Sequence, residues 1–297
     1  MTKSPEPARL TFFMARDEPY SLILRRGPTR FVCSIGWDRR DDTFQLGQWF
    51  RGRIYEERCD LSPDGQHFVY FAAKHEQFNT SNRGTWTAIS RTPYLKALCL
   101  WPKGGTWEAR SLFLNNRTIS LSGYYNDPLV HDDRFEAVTL LTEYYRKNPH
   151  ETYTQPKGVT VVDSYLSYVR EDEQDFLDDL KNWRYGWRLD NEGRNPPVTH
   201  RVGKQVTKHW WLLQGSCNSP YCLFAERGSK TIEFPQGTTW ADCDTFGDRS
   251  KIPQSVRIFY ARKGQLFAAT LSKDGLGEAS TLYDFNGMAV EQIEAPY

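Results

Sequence analysis

Residues 58–72 of the chain read Arg58-Cys-Asp-Leu-Ser-Pro-Asp-Gly-Gln-His-Phe-Val-Tyr-Phe-Ala72, and this stretch predicts two β-strands joined by a tight turn. Pro63 fixes φ near the value that the second position of a turn requires, Asp64 can bond its own backbone, and Gly65 tolerates positive φ. The four residues after His67 are aromatic or β-branched and suit a pleated, half-buried surface. The stretch therefore favours a sheet built from hairpins.

The composition of the 297-residue chain agrees with a β-rich, well-packed protein. Hydrophobic residues make up 39% and charged residues 25%, so the chain can bury a sizeable core and is not compositionally disordered. Aromatic residues reach 14%, with 10 Trp, and large flat side chains in such numbers suit packed sheet faces. The length would permit two average domains, but all-β barrels and propellers of this size are often single units.

The charges nearly cancel, which limits the partners that long-range electrostatics would select. Lys and Arg total 38 against 37 Asp and Glu, a formal net charge of +1. No global field therefore attracts the chain to phosphate backbones or anionic membranes, and nucleic acid is a disfavoured partner. A local basic patch stays compatible with this balance.

Hydropathy and cysteine usage predict a soluble, cytoplasmic protein. Residues 1–18 contain no apolar run of signal-peptide length, and nowhere do 18 apolar residues follow one another, so no membrane partner is expected. The six cysteines are scattered, and Cys33, Cys59, Cys99 and Cys243 lie in strand-like sequence where a small buried thiol is the ordinary interpretation. We expect them to be reduced.

Strand-like segments separated by turns predict one domain over residues 19–297, preceded by a loosely held N-terminal arm over residues 1–18. Two parts of the chain, residues 95–115 and 266–286, also share a pattern of apolar and glycine residues. When they are laid over one another without gaps, Leu95 meets Leu266 and Gly104 meets Gly275. Such a repeat of short strands indicates a propeller or a solenoid, because one small sheet cannot bury both of its faces alone.

The spacing between the two matched parts sets the expected number of repeats. It equals about four blades of roughly 40 to 45 residues, or about three longer ones. The strand-like segments between them suffice for about two blades of four strands. The sequence thus predicts an all-β fold, a β-propeller of about five blades, with six as the alternative.

Two stretches, near 133–147 and 170–183, interrupt the β pattern. In the first, Phe135, Val138 and Leu141 have helical spacing, and Asp133 suits an N-cap. The second begins with acidic residues and places its apolar residues on one face. We therefore expect two short helical insertions on the rim of the propeller.

The Leu61-Ser-Pro-Asp-Gly65 turn, followed by Phe68-Val-Tyr-Phe71, resembles the repeat of WD40-like and TolB-type β-propellers, in which a Ser-Pro-Asp-Gly turn joins two strands of a blade. The resemblance covers residues 58–72 well and residues 240–261 loosely, since a longer segment replaces the turn there. It implies a propeller fold and a protein that binds partners or ligands at a blade face or in the central channel. It implies no catalytic residue.

Local motifs for metal, cofactor or nucleophile chemistry are absent from the sequence. The six histidines show neither His-x-His nor His-Glu-x-x-His spacing, and the pair Cys217 and Cys222 lacks a second pair at zinc-ribbon spacing. His131-Asp-Asp133 is better explained as a cap with a solvated face than as a set of metal ligands. Phosphate-binding glycine motifs and the Gly-x-Ser-x-Gly elbow are missing as well. We expect no metal and no cofactor.

Three aspartates leave an enzymatic alternative open. Asp60, Asp242 and Asp244 fall at equivalent points of the two matched parts, where strands could open toward a channel, and paired carboxylates from different blades can serve glycoside hydrolysis. The other interpretation, which we favour, is that each caps a turn by accepting backbone N–H bonds. All three are kept as candidate binding residues without a catalytic role.

The segment that joins the first two groups of strands is a further candidate surface. In Arg51-Gly-Arg-Ile-Tyr-Glu-Glu-Arg58 the acidic residues offset the basic ones, and an ion-paired strand edge is the simpler interpretation. Arginine and aromatic residues are nevertheless enriched in binding hot spots. The candidate binding residues of this region are Trp49, Arg53, Tyr55, Arg58 and Trp86.

These observations together predict a non-catalytic scaffold that binds another protein. The alternative is a carbohydrate-active hydrolase with carboxylates around the central channel, for which about three acidic side chains converging in a deep pocket would be expected. Nucleic-acid binding, the least favoured, would require an affinity that falls steeply with salt.

Overall fold

The computed structural model describes residues 6–27, 30–74, 84–105, 111–121, 128–138, 188–189, 202–214, 221–225, 230–245 and 252–297. Within these ranges the protein is all-β, with a single turn of 3-10 helix at Glu56–Arg58 and no α-helix. The described strands form five sheets, and each sheet is made from one stretch of the chain. The predicted all-β class is confirmed.

The first two sheets meander through antiparallel strands in chain order. The first sheet contains β1 (Arg9–Met14), β2 (Tyr20–Arg26), β3 (Phe31–Asp38) and β4 (Thr43–Arg51). The second sheet contains β5 (Arg53–Ile54), β6 (Asp60–Leu61), β7 (His67–Ala73), β8 (Thr85–Arg91) and β9 (Ala97–Pro102). Both β5 and β6 pair with β7, so the first strand of this sheet is divided in two by the 3-10 turn.

The other three sheets follow along the chain. The third contains β10 (Ser111–Phe113), β11 (Thr118–Leu121) and β12 (Glu136–Val138). The fourth contains β13 (Arg188–Leu189), β14 (Val202–Gln205), β15 (Trp210–Gln214), β16 (Tyr221–Ala225) and β17 (Thr231–Glu233). The fifth contains β18 (Thr238–Cys243), β19 (Val256–Arg262), β20 (Gln265–Ser272), β21 (Gly275–Leu276) and β22 (Ser280–Asp284).

The turn between β6 and β7 has the chemistry that its sequence predicts. The Ser62 hydroxyl donates to Asp64 Oδ1 at 2.6 Å, and the same oxygen accepts from the Gln66 N–H at 3.0 Å. Gly65 adopts a φ of +72°, a conformation that costs glycine little and other residues more. The predicted strand, turn and strand over residues 58–72 are therefore confirmed.

The first sheet lies between the fifth and the second because the pleat sends alternate residues to opposite faces. Leu22 and Leu24 in β2 pack in a core with Phe68 and Tyr70 of the second sheet. Ile23, between them, packs in a different core that includes Phe259, Leu266 and Phe285 of the fifth sheet and its flank. Burial on both faces explains why three apolar residues, Leu22 to Leu24, follow one another in β2.

Two further cores connect the remaining sheets. Val69 and Ile89, on the other face of the second sheet, pack with Phe113 and Ile119 of the third. The fourth and fifth sheets share a core that contains Leu212 and Ile258. The cores thus join the sheets in the order fourth, fifth, first, second, third, so that the sheet formed earliest in the described chain contacts the one formed last.

The predicted N-terminal arm is wrong over its described part, since Arg9–Met14 form β1 and pair with β2. Leu10, Phe12 and Met14 are buried on one face of the strand, and Phe13 is buried on the other. Burial on both faces offsets the entropy of ordering this segment.

The predicted helix near 133–147 is wrong over its described part, because Glu136–Val138 form β12, parallel to β11. Phe135, whose spacing indicated a helix, is instead buried against Ile119 and Leu121. Tertiary packing therefore overrides the local pattern. Residues 139–147 and the second predicted helix, 170–183, lie outside the described residues.

The gapless overlay of the two repeat units is also wrong. It matches Leu100 in β9, the terminal strand of its sheet, with Leu271 in β20, which lies between β19 and β22. Alternating apolar residues recur in every strand of such sheets, so their pattern does not specify a strand's position. By position, β6 to β8 correspond to β18 to β20.

Candidate functional site

The division of the first strand of the second sheet places a tyrosine and two arginines next to one another. Arg53 is paired in register with Ala73, and Asp60 with Val69. Between them the backbone N–H of Tyr55 donates to Phe71 O at 3.0 Å, and the chain then forms the 3-10 turn. The interruption leaves Tyr55 half-buried, with residues on both sides of it directed back toward its ring.

Both arginines lie over the Tyr55 ring. The guanidinium carbon of Arg53 is 4.6 Å from the ring centroid, and that of Arg58 is 4.8 Å from it. Arg58 is also 5.3 Å from the Phe71 centroid, and the Tyr55 and Phe71 rings are 5.3 Å apart. Cation–π contacts of this kind contribute about 0.5–2 kcal/mol each. We call Arg53, Tyr55 and Arg58 the Tyr55 surface.

The acidic residues beside this surface are partly neutralised. Arg26 forms an ion pair with Glu56 at 2.8 Å. Burial raises the pKa of Glu56, and the carboxylate's backbone hydrogen bond and Arg26 oppose that rise. Glu57 is half-exposed and 3.8 Å from Arg58. Arg53 is exposed, and its positive charge also opposes the rise in the pKa of Glu56.

Further arginines lie at the same end of the first two sheets. The Gly52 N–H donates to Arg30 O at 2.9 Å, and Gly52 stands between Arg51 and Arg53 in the chain. Arg9 begins β1 at this end, in register with Arg26. The side chains of Arg9, Arg30, Arg51 and Arg53 are all exposed. The near-neutral chain therefore carries a local concentration of positive charge beside Tyr55.

The two tryptophans predicted for this region do not join the Tyr55 surface. Trp86 is only 6% exposed and packs at 5.9 Å, edge to face, on Phe50 in the core between the first two sheets. Trp49 points to the opposite face of β4, where it packs in the core shared with the fifth sheet under Arg25. Trp49 and its neighbour Phe50 lie on opposite faces of β4 because successive strand residues face opposite sides.

The three candidate aspartates each contribute to a contact between sheets. Asp60 Oδ2 accepts the backbone N–H of Phe113, in the third sheet, at 3.0 Å. Asp242, in the fifth sheet, forms an ion pair with Lys204 of the fourth and also accepts the Cys243 N–H at 2.6 Å. Two of them thus accept backbone N–H bonds without capping a turn: Asp60 from another sheet, and Asp242 from the next residue of its own strand.

Asp244 connects the fifth sheet with the β3–β4 connection of the first. Its Oδ1 lies 2.8 Å from the buried Arg39 guanidinium, and its Oδ2 lies 3.8 Å from Arg257. Burial raises the pKa of Asp244, and the two guanidinium groups offset part of that rise. Arg39 and Lys204 had no local signal in the sequence, because their partners lie 205 and 38 residues away along the chain.

The described residues contain no group of three or more His, Cys, Asp or Glu side chains positioned to hold a metal ion. Cys33, Cys59, Cys99, Cys222 and Cys243 are buried, and no disulfide joins any two of them. No helix in the described part of the chain has the length and apolar character needed to cross a membrane.

The sequence matches no protein-family model. It also shows no significant similarity to any curated protein.

Proposed function

We propose that the protein is a five-bladed β-propeller that acts as a non-catalytic interaction module and binds another protein through the Tyr55 surface. Five successive sheets support this architecture, with cores between the first and second, the second and third, and the fourth and fifth, as does the core between the fifth and first sheets. The first strands of neighbouring sheets also contact one another in the series β18, β1, β6 and β10. Inner strands around a propeller channel have this relationship.

The fourth sheet offers a further reason to propose a ring. Leu213, Cys222 and Phe224 are buried on the face that points away from the fifth sheet. In the third sheet Leu112 and Ser120, opposite one another in register, are buried on the face away from the second sheet. A closed ring would direct these two buried faces toward each other.

One observation carries the assignment of the binding surface: two guanidinium groups stack on one half-buried tyrosine. Arginine held on an aromatic ring keeps its N–H donors in a defined plane, so it loses less side-chain entropy on binding than a free arginine. Arginine and tyrosine are also the residue types most enriched in interface hot spots. The Tyr55 surface is therefore preorganised for a partner.

The charge of the surface specifies an acidic protein segment as the partner. Guanidinium groups recognise carboxylates through paired N–H donors, and Arg30, Arg51 and Arg53 are exposed within one short stretch of surface. Sequence-independent nucleic-acid binding would use exposed rings on which bases stack. The Tyr55 ring is already covered by arginine, which favours protein over nucleic acid.

The hydrolase alternative receives less support from the carboxylates. Glycoside hydrolysis requires two carboxyl groups that face the substrate from opposite sides of the bond. Asp60, Asp242 and Asp244 each face a partner from another sheet instead.

The test is to place a photo-crosslinking amino acid at position 53 in the full chain, expressed in its native cell, and to identify the protein that it captures. The double variant Arg53→Ala/Arg58→Ala should weaken binding of the identified partner by about tenfold or more, since hot-spot truncations cost about 2 kcal/mol or more each. Arg40→Ala is the matched control, because Arg40 is 69% exposed at the other end of the first sheet.

Equal partner affinity for the double variant and for Arg40→Ala would overturn the assignment of the surface. Turnover of a glycoside by the purified protein, abolished by Asp60→Asn, would overturn the non-catalytic function. Binding that requires RNA or DNA and weakens steeply as the salt concentration rises would mean that the partner is nucleic acid and not protein.

A further inference from the structure

Residues 286–297 follow the last strand and pass from the fifth sheet across the first to the second without forming a strand. At the start, Asn286 Oδ1 accepts the N–H of Ala8 at 2.9 Å. In the middle, the carbonyl of Ile293 contacts Gln48 in β4, and at the end Tyr297 contacts the β8–β9 connection. We call residues 286–297 the strap.

The site that holds Tyr297 contacts both its hydroxyl and its ring. The hydroxyl accepts the backbone N–H of Arg91 at 3.0 Å and donates to the carbonyl of Lys96 at 2.8 Å. The charged groups of Arg91 and Lys96 lie 4.8 Å and 5.4 Å from the ring centroid, and Tyr94 meets the ring edge-on at 6.2 Å. Phenylalanine would keep the ring contacts but leave the Arg91 N–H and the Lys96 carbonyl without this partner, so the site selects tyrosine.

Gln48 joins the strap to the same connection. Its Nε2 donates to Ile293 O at 2.9 Å, and its Oε1 accepts the Leu95 N–H at 2.8 Å. The carbonyl of Leu95 in turn accepts the hydroxyl of Tyr70, a buried residue of β7. The Leu95 backbone is thus held from both sides, by Gln48 of the first sheet and by Tyr70 of the second.

A recess remains beside the strap. It is an open pocket of about 460 Å³ lined by Gln48, Trp49, Phe50, Leu95 and Lys96 on one side and by strap residues 292–295 on the other. Its presence means that the strap contacts the groove at discrete points rather than filling it.

The strap has the character of a bound peptide. It makes no ladder of backbone hydrogen bonds, and its residues between the anchors are largely exposed, Val290 to 54%. Segments with few buried contacts open at a smaller free energy than the sheets around them. The strap should therefore detach while the sheets stay folded.

The strap also connects sheets that share no strand. Each sheet is formed from one stretch of chain, so the first and fifth sheets are joined by side chains rather than by a common ladder. Arg25 Nε donates to Phe285 O at 3.0 Å at the point where the strap begins. From there the strap extends the link to the second sheet through Gln48 and Tyr297.

We propose that the groove between β4 and the β8–β9 connection is a peptide-binding site for an extended, tyrosine-bearing segment, and that the chain's own strap occupies it as a detachable ligand. The site lies apart from the Tyr55 surface and does not depend on the proposed function. Its occupant is the strap, and the same sequence binds in trans when the strap is weakened.

The test uses the full chain and a fluorescent synthetic peptide with the sequence of residues 288–297. The peptide should bind the Tyr297→Ala protein at least about tenfold more tightly than the wild type, because in the wild type the tethered strap competes at a high effective concentration. A peptide with Phe in place of Tyr297 should bind the same variant about tenfold more weakly, since two hydrogen bonds are lost.

Hydrogen exchange of the full chain provides a second measurement. The backbone amide of Arg91, which donates to the Tyr297 hydroxyl, should exchange faster in Tyr297→Ala than in the wild type, while the amides of β7 and β20 keep their protection. Tyr283→Phe, in a half-exposed tyrosine of β22, is the control. A concentration-dependent dimer that Tyr297→Ala abolishes would also support the site, because in such a dimer the strap of each copy would occupy the groove of the other. Equal binding of the Tyr and Phe peptides, or no binding to a Tyr297→Ala protein whose sheets stay protected, would overturn the proposal.

Discussion

Asp60 and Phe113 join two sheets: the buried carboxylate in β6 accepts the backbone N–H in β10 at 3.0 Å. Lys204 and Asp242 make a comparable contact between the fourth and fifth sheets. A buried polar group is costly unless it is paired, so each contact favours one relative placement of the two sheets over sliding alternatives. The apolar cores contribute most of the stabilisation, and these polar pairs determine how the two sheets are oriented relative to each other.

Removal of the Asp60 carboxylate should therefore destabilise the fold. We expect Asp60→Ala to lower the free energy of unfolding by about 1–3 kcal/mol, because the Phe113 N–H loses this acceptor inside the protein. Asp60→Asn keeps an acceptor oxygen and should cost less. Urea unfolding of both variants checks this, with Asp133→Ala as a fully exposed control. Equal stability of the Ala and wild-type proteins would contradict it.

The Lys204–Asp242 pair should show strong coupling in a double-mutant cycle. Lys204→Met alone should cost about 3–5 kcal/mol, because it removes the cation that faces a buried carboxylate. The double variant Lys204→Met/Asp242→Leu should regain much of that loss, since an apolar pair of similar size replaces the ion pair. Denaturant unfolding of the four proteins gives the coupling energy. Additive effects would mean that solvent already screens the pair.

Those parts of the fold that depend on short stretches of sequence were predictable. The turn at Ser62–Gly65 was identified from its residues because Pro63, Asp64 and Gly65 act within the turn itself. Arg53 and Arg58 lie within a few residues of Tyr55 in the sequence, and the structure shows both guanidinium groups over its ring, but their role in binding stays a prediction. The Tyr297 site was not, because its partners Arg91 and Lys96 lie about 200 residues earlier, and no local pattern connects them.

The helix predicted around Phe135 and the expected grouping of Trp49 with Tyr55 have the same physical limit. Trp49 and Phe50 are adjacent, yet the pleat places them in different cores, and sequence proximity therefore did not place Trp49 beside Tyr55. Similarly, the apolar residues around Phe135 do have helical spacing in the sequence. The Phe135 ring is nevertheless buried against β11, and Glu136–Val138 form a strand that pairs with β11. A local sequence pattern is compatible with more than one secondary structure, and the contacts between sheets decide which one forms.

Two glycine-to-alanine substitutions should show how much stability depends on the positive φ and close packing of Gly65, as distinct from the loss of a glycine's flexibility alone. Gly65 has a φ of +72°, and a Cβ there would lie 2.9 Å from Tyr20 Cδ1. We therefore expect Gly65→Ala to lower the free energy of unfolding by about 1 kcal/mol or more. Gly105→Ala is the control, because a Cβ there has no atom within 4 Å. Thermal unfolding of both variants checks the difference, and a stability loss of equal size in the two would contradict the turn geometry.

His67 should make stability depend on pH below about 6.5. Burial lowers its pKa from the ordinary value of 6.5, with Asp64 opposing that fall and Arg134 and Arg91 adding to it. Its Nδ1 is buried without a hydrogen-bond partner among the described residues. The folded state therefore prefers the neutral ring. The resulting stabilisation is fully present above the unfolded pKa of about 6.5 and is lost as the pH falls below that value toward the lower folded pKa.

The comparison that isolates this effect is His67→Gln against the wild type, with unfolding free energies measured by denaturant from pH 7.5 to pH 5. The advantage of the wild type should shrink as the pH falls, because only the wild type must bury a group that the acid protonates in the unfolded chain. His131→Gln, at a histidine whose side chain is 47% exposed, is the matched control for the substitution itself. If His67→Gln and the wild type lose stability in parallel across this range, the imidazole is solvated in the folded state and its burial is wrong.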